Sequence, residues 1–147
     1  MTANKRRYFG KFPGRVVASV DPLGIGRLQV TVPAAPSAVG AWALPCVPYA
    51  GPQVGFHFIP PVAANVWVEF EGGDPNYPVW VGCFWSEGER PELAIGPNVK
   101  MIQTSTATLM MDDTPDAAEI VSRWNPRASR CHRKGASRSR FHRAMSA

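Results

Sequence analysis

The stretch that most constrains the fold runs from residue 66 to residue 85 and reads VWVEFEGGDPNYPVWVGCFW. Apolar residues occupy every second position on both sides of its centre, which predicts two β-strands rather than a helix. The inward positions are expected to be Val66, Val68, Phe70, Val79, Val81 and Cys83. Glycine permits left-handed backbone, and Asp before Pro favours a turn. The turn residues are Gly72, Gly73, Asp74, Pro75 and Pro78, so the stretch is predicted to be a β-hairpin.

This hairpin carries large apolar groups on both of its faces. Trp67 and Trp80 fall at the outward positions of the two strands. A hairpin on the surface of a monomer normally carries polar side chains there. The pattern therefore predicts an outer surface that is unusually apolar.

Further segments complete a set of five short strands. The runs GRVVASV and RLQVTVP flank turn residues from Asp21 to Gly26, which predicts a second hairpin. The third apolar segment contains Pro45 and Pro48, which lack a backbone donor, so we expect it to be irregular or at an edge. Five strands and no convincing interior helix predict an all-β fold. The oligonucleotide/oligosaccharide-binding (OB) type is the commonest five-stranded barrel.

Charge divides the chain unevenly. Residues 1–119 hold 8 Lys and Arg against all 11 Asp and Glu, a net charge of −3, whereas residues 120–147 hold the other 8 basic residues and no acid. The second segment has too few aliphatic residues to offset its ordering entropy and is expected to be disordered alone, with at most a marginal helix at 117–123. The predicted organisation is an N-terminal arm at 1–13, a barrel at 14–90, a linker and β extension at 91–116 and a basic tail at 117–147.

The sequence offers little chemistry for catalysis or metal binding. The three cysteines are too few and too widely spaced for a disulfide framework, and Cys46 and Cys83 are expected to be small buried hydrophobes. His57 is expected to be an outward surface residue. No catalytic motif, metal-ligand spacing, secretory signal or membrane-spanning run is present, so we expect no enzyme activity, cofactor or metal.

The residues from 42 to 89 resemble a known family. The motifs are Tyr49-Ala50-Gly51, the run from Gly55-Phe56 to Pro60, Val66-x-Val68-x-Phe70, Gly73-Asp74-Pro75-x-x-Pro78, and Gly82 before an aromatic pair. Together they resemble the OB-fold domain of phage baseplate assembly protein V and of the valine-glycine repeat spike proteins of contractile injection systems. The hairpin at residues 14–33 fits the first two strands of that domain, so the resemblance covers roughly residues 9–90.

The resemblance implies a trimeric spike or hub component at the puncturing end of a tail, located in a virion or phage-tail-like particle and made in the bacterial cytoplasm. A tail-tube hub protein and a tip protein of the PAAR type are the implied partners. Residues 99–111 would begin a trimeric β-helix needle. Packing of three barrels under a hub would bury their outer aromatic residues, since aromatics dominate interface cores. The implied interface residues are Tyr49, Phe56, Phe58, Trp67, Trp80, Phe84 and Trp85.

The sequence also leaves two other functions to be weighed and two possible origins of the tail. An OB barrel suggests single-stranded nucleic acid, but that function needs a positive groove, and only the basic tail offers charge for nonspecific binding. A lytic enzyme would need two positioned carboxylates, which the scattered acids do not supply. The tail is either a natural terminus or the product of a reading-frame shift near residue 118, and translation of the coding DNA in the other frames distinguishes these origins.

Overall fold

The computed structural model describes residues 6–36, 40–115 and 118–124. Contacts between residues divide the chain into two compact units, residues 1–90 and residues 91–147.

The first unit is a closed β-barrel. Its strands are β1 (Phe12–Ala18), β2 (Leu28–Thr31), β3 (Trp42–Pro45), β6 (Asn65–Phe70) and β7 (Pro78–Cys83), and a small hairpin of β4 (Ala50–Gly51) and β5 (Val54–Gly55) follows β3. The strands close in the order β1-β2-β3-β7-β6, with β3 and β7 parallel and the other pairs antiparallel. The predicted all-β, five-stranded barrel is confirmed.

The barrel interior is filled by apolar side chains. On β6, Val66 and Val68 are fully buried and Phe70 is nearly so, while the intervening residues are only partly covered. This strand therefore confirms the predicted alternation. The buried core consists of Val16, Leu28, Val30, Val32, Ala35, Ala43, Val66, Val68, Phe70 and Trp80.

The predicted facing of β7 is wrong. Val68 pairs with Trp80 but Trp67 pairs with Gly82, so Val81 is an extra residue between the two pairs. Such a bulge reverses the facing of the strand on one side of it. Trp80 therefore points into the barrel and is only 4% exposed, instead of lying on the outer face. The buried residues of β7 are Pro78 and Trp80 rather than Val79, Val81 and Cys83.

The third segment and the N-terminal arm also differ from expectation. Strand β3 lies between β2 and β7 in the closed barrel, so it is not an edge, although it is short and ends at Pro45. Strand β1 already begins at Phe12, inside the predicted arm. The Tyr8 backbone N–H donates to the Gly73 carbonyl at 2.9 Å, and the Tyr8, Phe12 and Phe70 rings contact each other. Residues 8–13 are thus part of the barrel.

Two smaller expectations about burial fail. Cys46 and Cys83 are free thiols on the surface rather than buried hydrophobes. Val20, the last residue of the run GRVVASV that is predicted to form a strand, lies beyond the end of β1 and is 86% exposed. Cys46 and Val20 lie past the ends of β3 and β1, and Cys83 is the last residue of β7, so all three are at strand ends, outside the barrel interior.

The second unit is a three-stranded antiparallel sheet. Its strands are β8 (Val99–Gln103), β9 (Ala107–Asp112) and β10 (Glu119–Trp124), in the order β10-β9-β8. The predicted β extension at 91–116 contains two of these strands, β8 and β9. Strand β10 lies in the predicted tail, where a marginal helix was the alternative, because Ile120 and Val121 continue the pairing with β9. The tail beyond residue 124 lies outside the described residues.

Candidate interaction surfaces

The β1–β2 loop is organised around one carboxylate. Asp21 accepts hydrogen bonds from the backbone N–H groups of Leu23 and Ile25, both at 3.0 Å, and of Arg27 at 3.1 Å. The Arg27 side chain donates two further bonds to the same carboxylate, at 3.0 and 2.7 Å. The Arg27 guanidinium, helped by the backbone donors, holds the pKa of Asp21 well below its usual range.

The same loop is joined to the barrel core. The Trp80 indole Nε1–H donates to the Gly26 carbonyl at 3.1 Å, and the Arg27 guanidinium lies 5.3 Å from the centre of the Trp42 ring. The loop nevertheless leaves two aliphatic side chains in solvent, since Leu23 is 66% and Ile25 53% exposed. The loop is therefore a fixed support for exposed apolar groups.

Beside this loop, the β4–β5 hairpin presents a pair of phenyl rings. The Phe56 N–H donates to the Tyr49 carbonyl at 2.9 Å, which closes the hairpin. Gly55 has φ 151°, and a Cβ there would lie 2.9 Å from the Tyr49 carbonyl oxygen, so this close crossing requires glycine. The Phe56 and Phe58 rings stack with centres 6.3 Å apart and an angle of 29° between their planes, and both rings are more than half exposed.

The two loops enclose a groove of about 510 Å³. We call it the loop groove and define it by its exposed apolar residues, Ile25, Val54, Phe56 and Phe58. None of its described lining residues is Asp, Glu, Lys or Arg, and His57 is its one titratable residue. A nucleic-acid groove would carry cations beside its aromatic rings, so this lining fits an apolar partner instead.

A second aromatic surface lies on the outside of β6 and β7. We define the Trp67 surface by Trp67 and Phe84, whose rings lie 4.7 Å apart, and by Trp85, which follows Phe84 in the chain and is 65% exposed. Charged and polar residues border it. Lys11, which precedes β1, pairs with Glu69 at 2.5 Å, and Glu69 lies two residues from Trp67 on the same face of β6.

A hydrogen-bonded polar cluster lies at the end of the same strand. The Asn65 amide donates to the Ser86 hydroxyl at 3.0 Å and to a Glu89 carboxylate oxygen at 2.9 Å. The Ser86 N–H donates to the same Glu89 oxygen at 2.7 Å. These contacts fix the chain where it leaves β7 and place a carboxylate near Trp85. The Trp67 surface is therefore apolar at its centre and charged at its margin.

The seven predicted interface residues differ in how far they are exposed to solvent. Trp80 belongs to the core, Trp67 and Phe84 are partly covered by each other, and the remaining ones are exposed: Tyr49, Phe56, Phe58 and Trp85. Leu23 and Ile25 are exposed apolar residues that the turn prediction for the run DPLGIG does not identify. Their exposure could have been predicted from the sequence, because both are aliphatic residues placed between turn-forming residues, where no position faces the core.

The predicted turn residues lie where expected in the chain. Gly72 and Gly73 have φ of 54° and 76°, in a 3₁₀ turn at Glu71–Gly73, and the Asp74 carboxylate accepts the Asn76 N–H at 3.0 Å. Pro75 and Pro78 are buried. These residues make the sharp return between β6 and β7 and leave their side chains little room for a ligand.

Within the described part of the chain, no group of three or more His, Cys, Asp or Glu is arranged to hold a metal ion. No helix among the described residues is long and apolar enough to cross a membrane. The described residues instead offer exposed apolar and aromatic surface on a closed barrel.

Comparison with known families identifies this barrel. The family described as the type VI secretion system/phage-baseplate injector OB domain matches residues 12–85, half of the chain. The chain belongs to this family. The match spans the barrel from the first residues of β1 to just past β7, and both aromatic surfaces fall inside it or at its end. The baseplate injector OB domain is a structural module rather than an enzyme family, which makes this chain a structural component of a baseplate or injector. No curated protein matches the sequence.

Proposed function

We propose that this baseplate injector OB domain works as a homotrimeric adaptor at the puncturing end of a contractile tail or injection device. In this role, three barrels bind a tail-tube hub protein, and the second units of the three chains form the start of a needle that carries a tip protein of the PAAR type. The proposal rests on apolar surface that a single chain leaves uncovered in both of its units.

The sheet of the second unit carries the main observation. Ile102 pairs with Leu109, and Met111 pairs with Ile120. Pairing places these residues on one face of the sheet, and all four are more than 40% exposed: Ile102 48%, Leu109 44%, Met111 43% and Ile120 78%. The opposite face presents Met101, Met110 and Val121, which pair in one row across the three strands and are partly covered.

A three-stranded sheet with apolar residues on both faces needs a partner on at least one of them. Because three of these side chains are about half exposed, covering each of them contributes about 1 kcal/mol, and covering Ile120 contributes about 1–2 kcal/mol, before the cost of association. In a homotrimer, the sheets of the two other copies would provide apolar faces that cover this one, and no other protein would be needed. The uncovered sheet thus supports a needle made of three chains.

Hub binding is proposed for the Trp67 surface. Its centre is aromatic and its margin carries Lys11, Glu69 and Glu89, which is the composition of a non-obligate interface with an apolar core and a polar rim. A partner that brings its own charges is able to match this rim.

The mass of the purified full-length chain in solution tests the proposal. We expect a trimer by sedimentation velocity, and a shift to monomer when Ile102→Lys and Leu109→Lys introduce charges on the exposed sheet face. The matched control is Glu87→Lys, which adds a charge on an exposed residue of the first unit, after β7. A wild-type chain that stays monomeric at high concentration contradicts the trimeric adaptor.

A further inference from the structure

We propose that the loop groove is the surface at which the barrels of neighbouring copies meet, and that the Trp67 surface stays outside this contact. The inference rests on the proposed trimer and adds which part of the barrel forms the contact. Three copies of the groove would converge about the threefold axis, so that the phenyl rings of one copy contact the same rings of its neighbours.

Charge distinguishes the two surfaces. Near a threefold axis each group faces its own copies, so a charged residue faces like charges and must also lose its hydration. The loop groove has no acidic or basic residue in its described lining. The Trp67 surface would bring the Lys11–Glu69 pair and the Glu89 carboxylate of each copy into the contact. Of these two surfaces, the loop groove is the one whose described lining faces copies of itself without burying an acidic or basic side chain.

The exposed area is sufficient for the centre of such a contact. Phe56 and Phe58 are 53% and 56% exposed. Since a phenyl side chain buries on the order of 150–250 Å² when fully covered, the two rings together offer roughly 200 Å² per copy. Ile25 and Val54 are also about half exposed and extend this area. A standard interface buries about 800 Å² per partner, and its binding energy is concentrated in such a central aromatic cluster.

The groove is also already ordered in the single chain. Five hydrogen bonds to Asp21 fix the loop that carries Ile25, and the Trp80 indole joins that loop to the core. The close crossing at Gly55 fixes the residues that lead into the phenyl pair. Association therefore orders few additional groups, which lowers its entropic cost.

A photo-cross-linker placed on each surface tests the proposal on the full-length chain. One variant carries p-benzoylphenylalanine in place of Phe58, and the control carries it in place of Trp85, which is exposed to a similar degree. Both samples are first shown to be trimeric by sedimentation and then irradiated. We expect covalent dimers and trimers of the chain from position 58 only.

Cross-links from position 85 alone, or from neither position in a trimeric sample, overturn the proposal. A wild-type chain that is monomeric refutes the trimeric adaptor, and this inference with it, before any irradiation. As a second measurement, Phe56→Ser with Phe58→Ser should weaken assembly by more than about 100-fold, whereas Trp85→Ser should change it by less than about threefold. Circular dichroism of each variant establishes that the barrel is folded, and equal effects of the two changes contradict the assignment.

Discussion

The substitution Trp80→Ala measures directly which face of β7 is inside. Trp80 is 4% exposed, packs in the core with Val68 and Phe70, and donates its indole N–H to the Gly26 carbonyl. Removal of a buried Trp side chain costs about 3–5 kcal/mol through lost burial and the cavity that remains. The lost hydrogen bond leaves a buried carbonyl without this partner and adds about 1 kcal/mol.

The expected total of about 4–6 kcal/mol is a large part of the stability of a small domain. With a denaturant slope of about 1–3 kcal/mol per M of urea, the unfolding midpoint should fall by more than about 1 M, or the chain should fail to fold. Urea titrations followed by circular dichroism at one fixed protein concentration give this number. Trp80→Phe is the matched partial change, because it keeps a ring but removes the donor, and it should cost clearly less.

The outward control is Trp67→Ala, on the neighbouring strand. Trp67 is only partly covered, chiefly by Phe84, so we expect its loss to shift the midpoint by much less than the loss of Trp80. If Trp80→Ala costs under 1 kcal/mol, or if Trp67→Ala costs more, the bulge and the inward indole are wrong.

Three further predictions concern the barrel. Asp21→Asn should lower the free energy of unfolding at pH 7 and make it depend less on pH in acid. Because the pKa of Asp21 is depressed in the folded state, its contribution to stability is full above about pH 4 and is lost as the pH falls further. Urea midpoints at pH 7, 4 and 2.5 measure this, and the control Glu87→Gln should behave like wild type. Gly73→Ala should lower the free energy of unfolding by about 1–3 kcal/mol, because φ is 76° and the new Cβ would lie 3.0 Å from the Phe9 ring. The control Gly88→Ala has a similar φ but open space around the new Cβ, so it should cost less. Equal urea midpoints for the two variants would mean that the N-terminal segment does not pack against Gly73. Val68→Asp should prevent folding, since it puts an unpaired charge at a fully buried position, and a native circular dichroism spectrum of that variant, alongside the Glu69→Asp control, would contradict the core assignment.

Local sequence was enough to locate most strands of the barrel. Period-two alternation at Val66, Val68 and Phe70 matches the buried residues of β6 because a strand places alternate side chains on opposite faces. The Gly72–Gly73 turn followed from the one residue type that accepts positive φ without strain. The resemblance carried by these motifs also predicted the family to which the chain belongs.

The candidate site was predictable only in part. Tyr49, Phe56, Phe58 and Trp85 were named as interface residues and are exposed on the single chain, and whether they form interfaces stays a prediction. The groove itself was not foreseen, because its two walls are about 30 residues apart in sequence and come together only through barrel closure.

The sequence by itself determined that this chain makes short strands, sharp glycine and proline turns and an apolar barrel, because backbone conformation and side-chain alternation are local properties. Only the tertiary structure decided which tryptophan is inside. Val81 is one residue too many for the ladder between β6 and β7, and a single extra residue exchanges the two faces of a strand. Register is a property of two strands paired together, so neither strand alone contains the information that sends Trp80 into the core and leaves Trp67 outside.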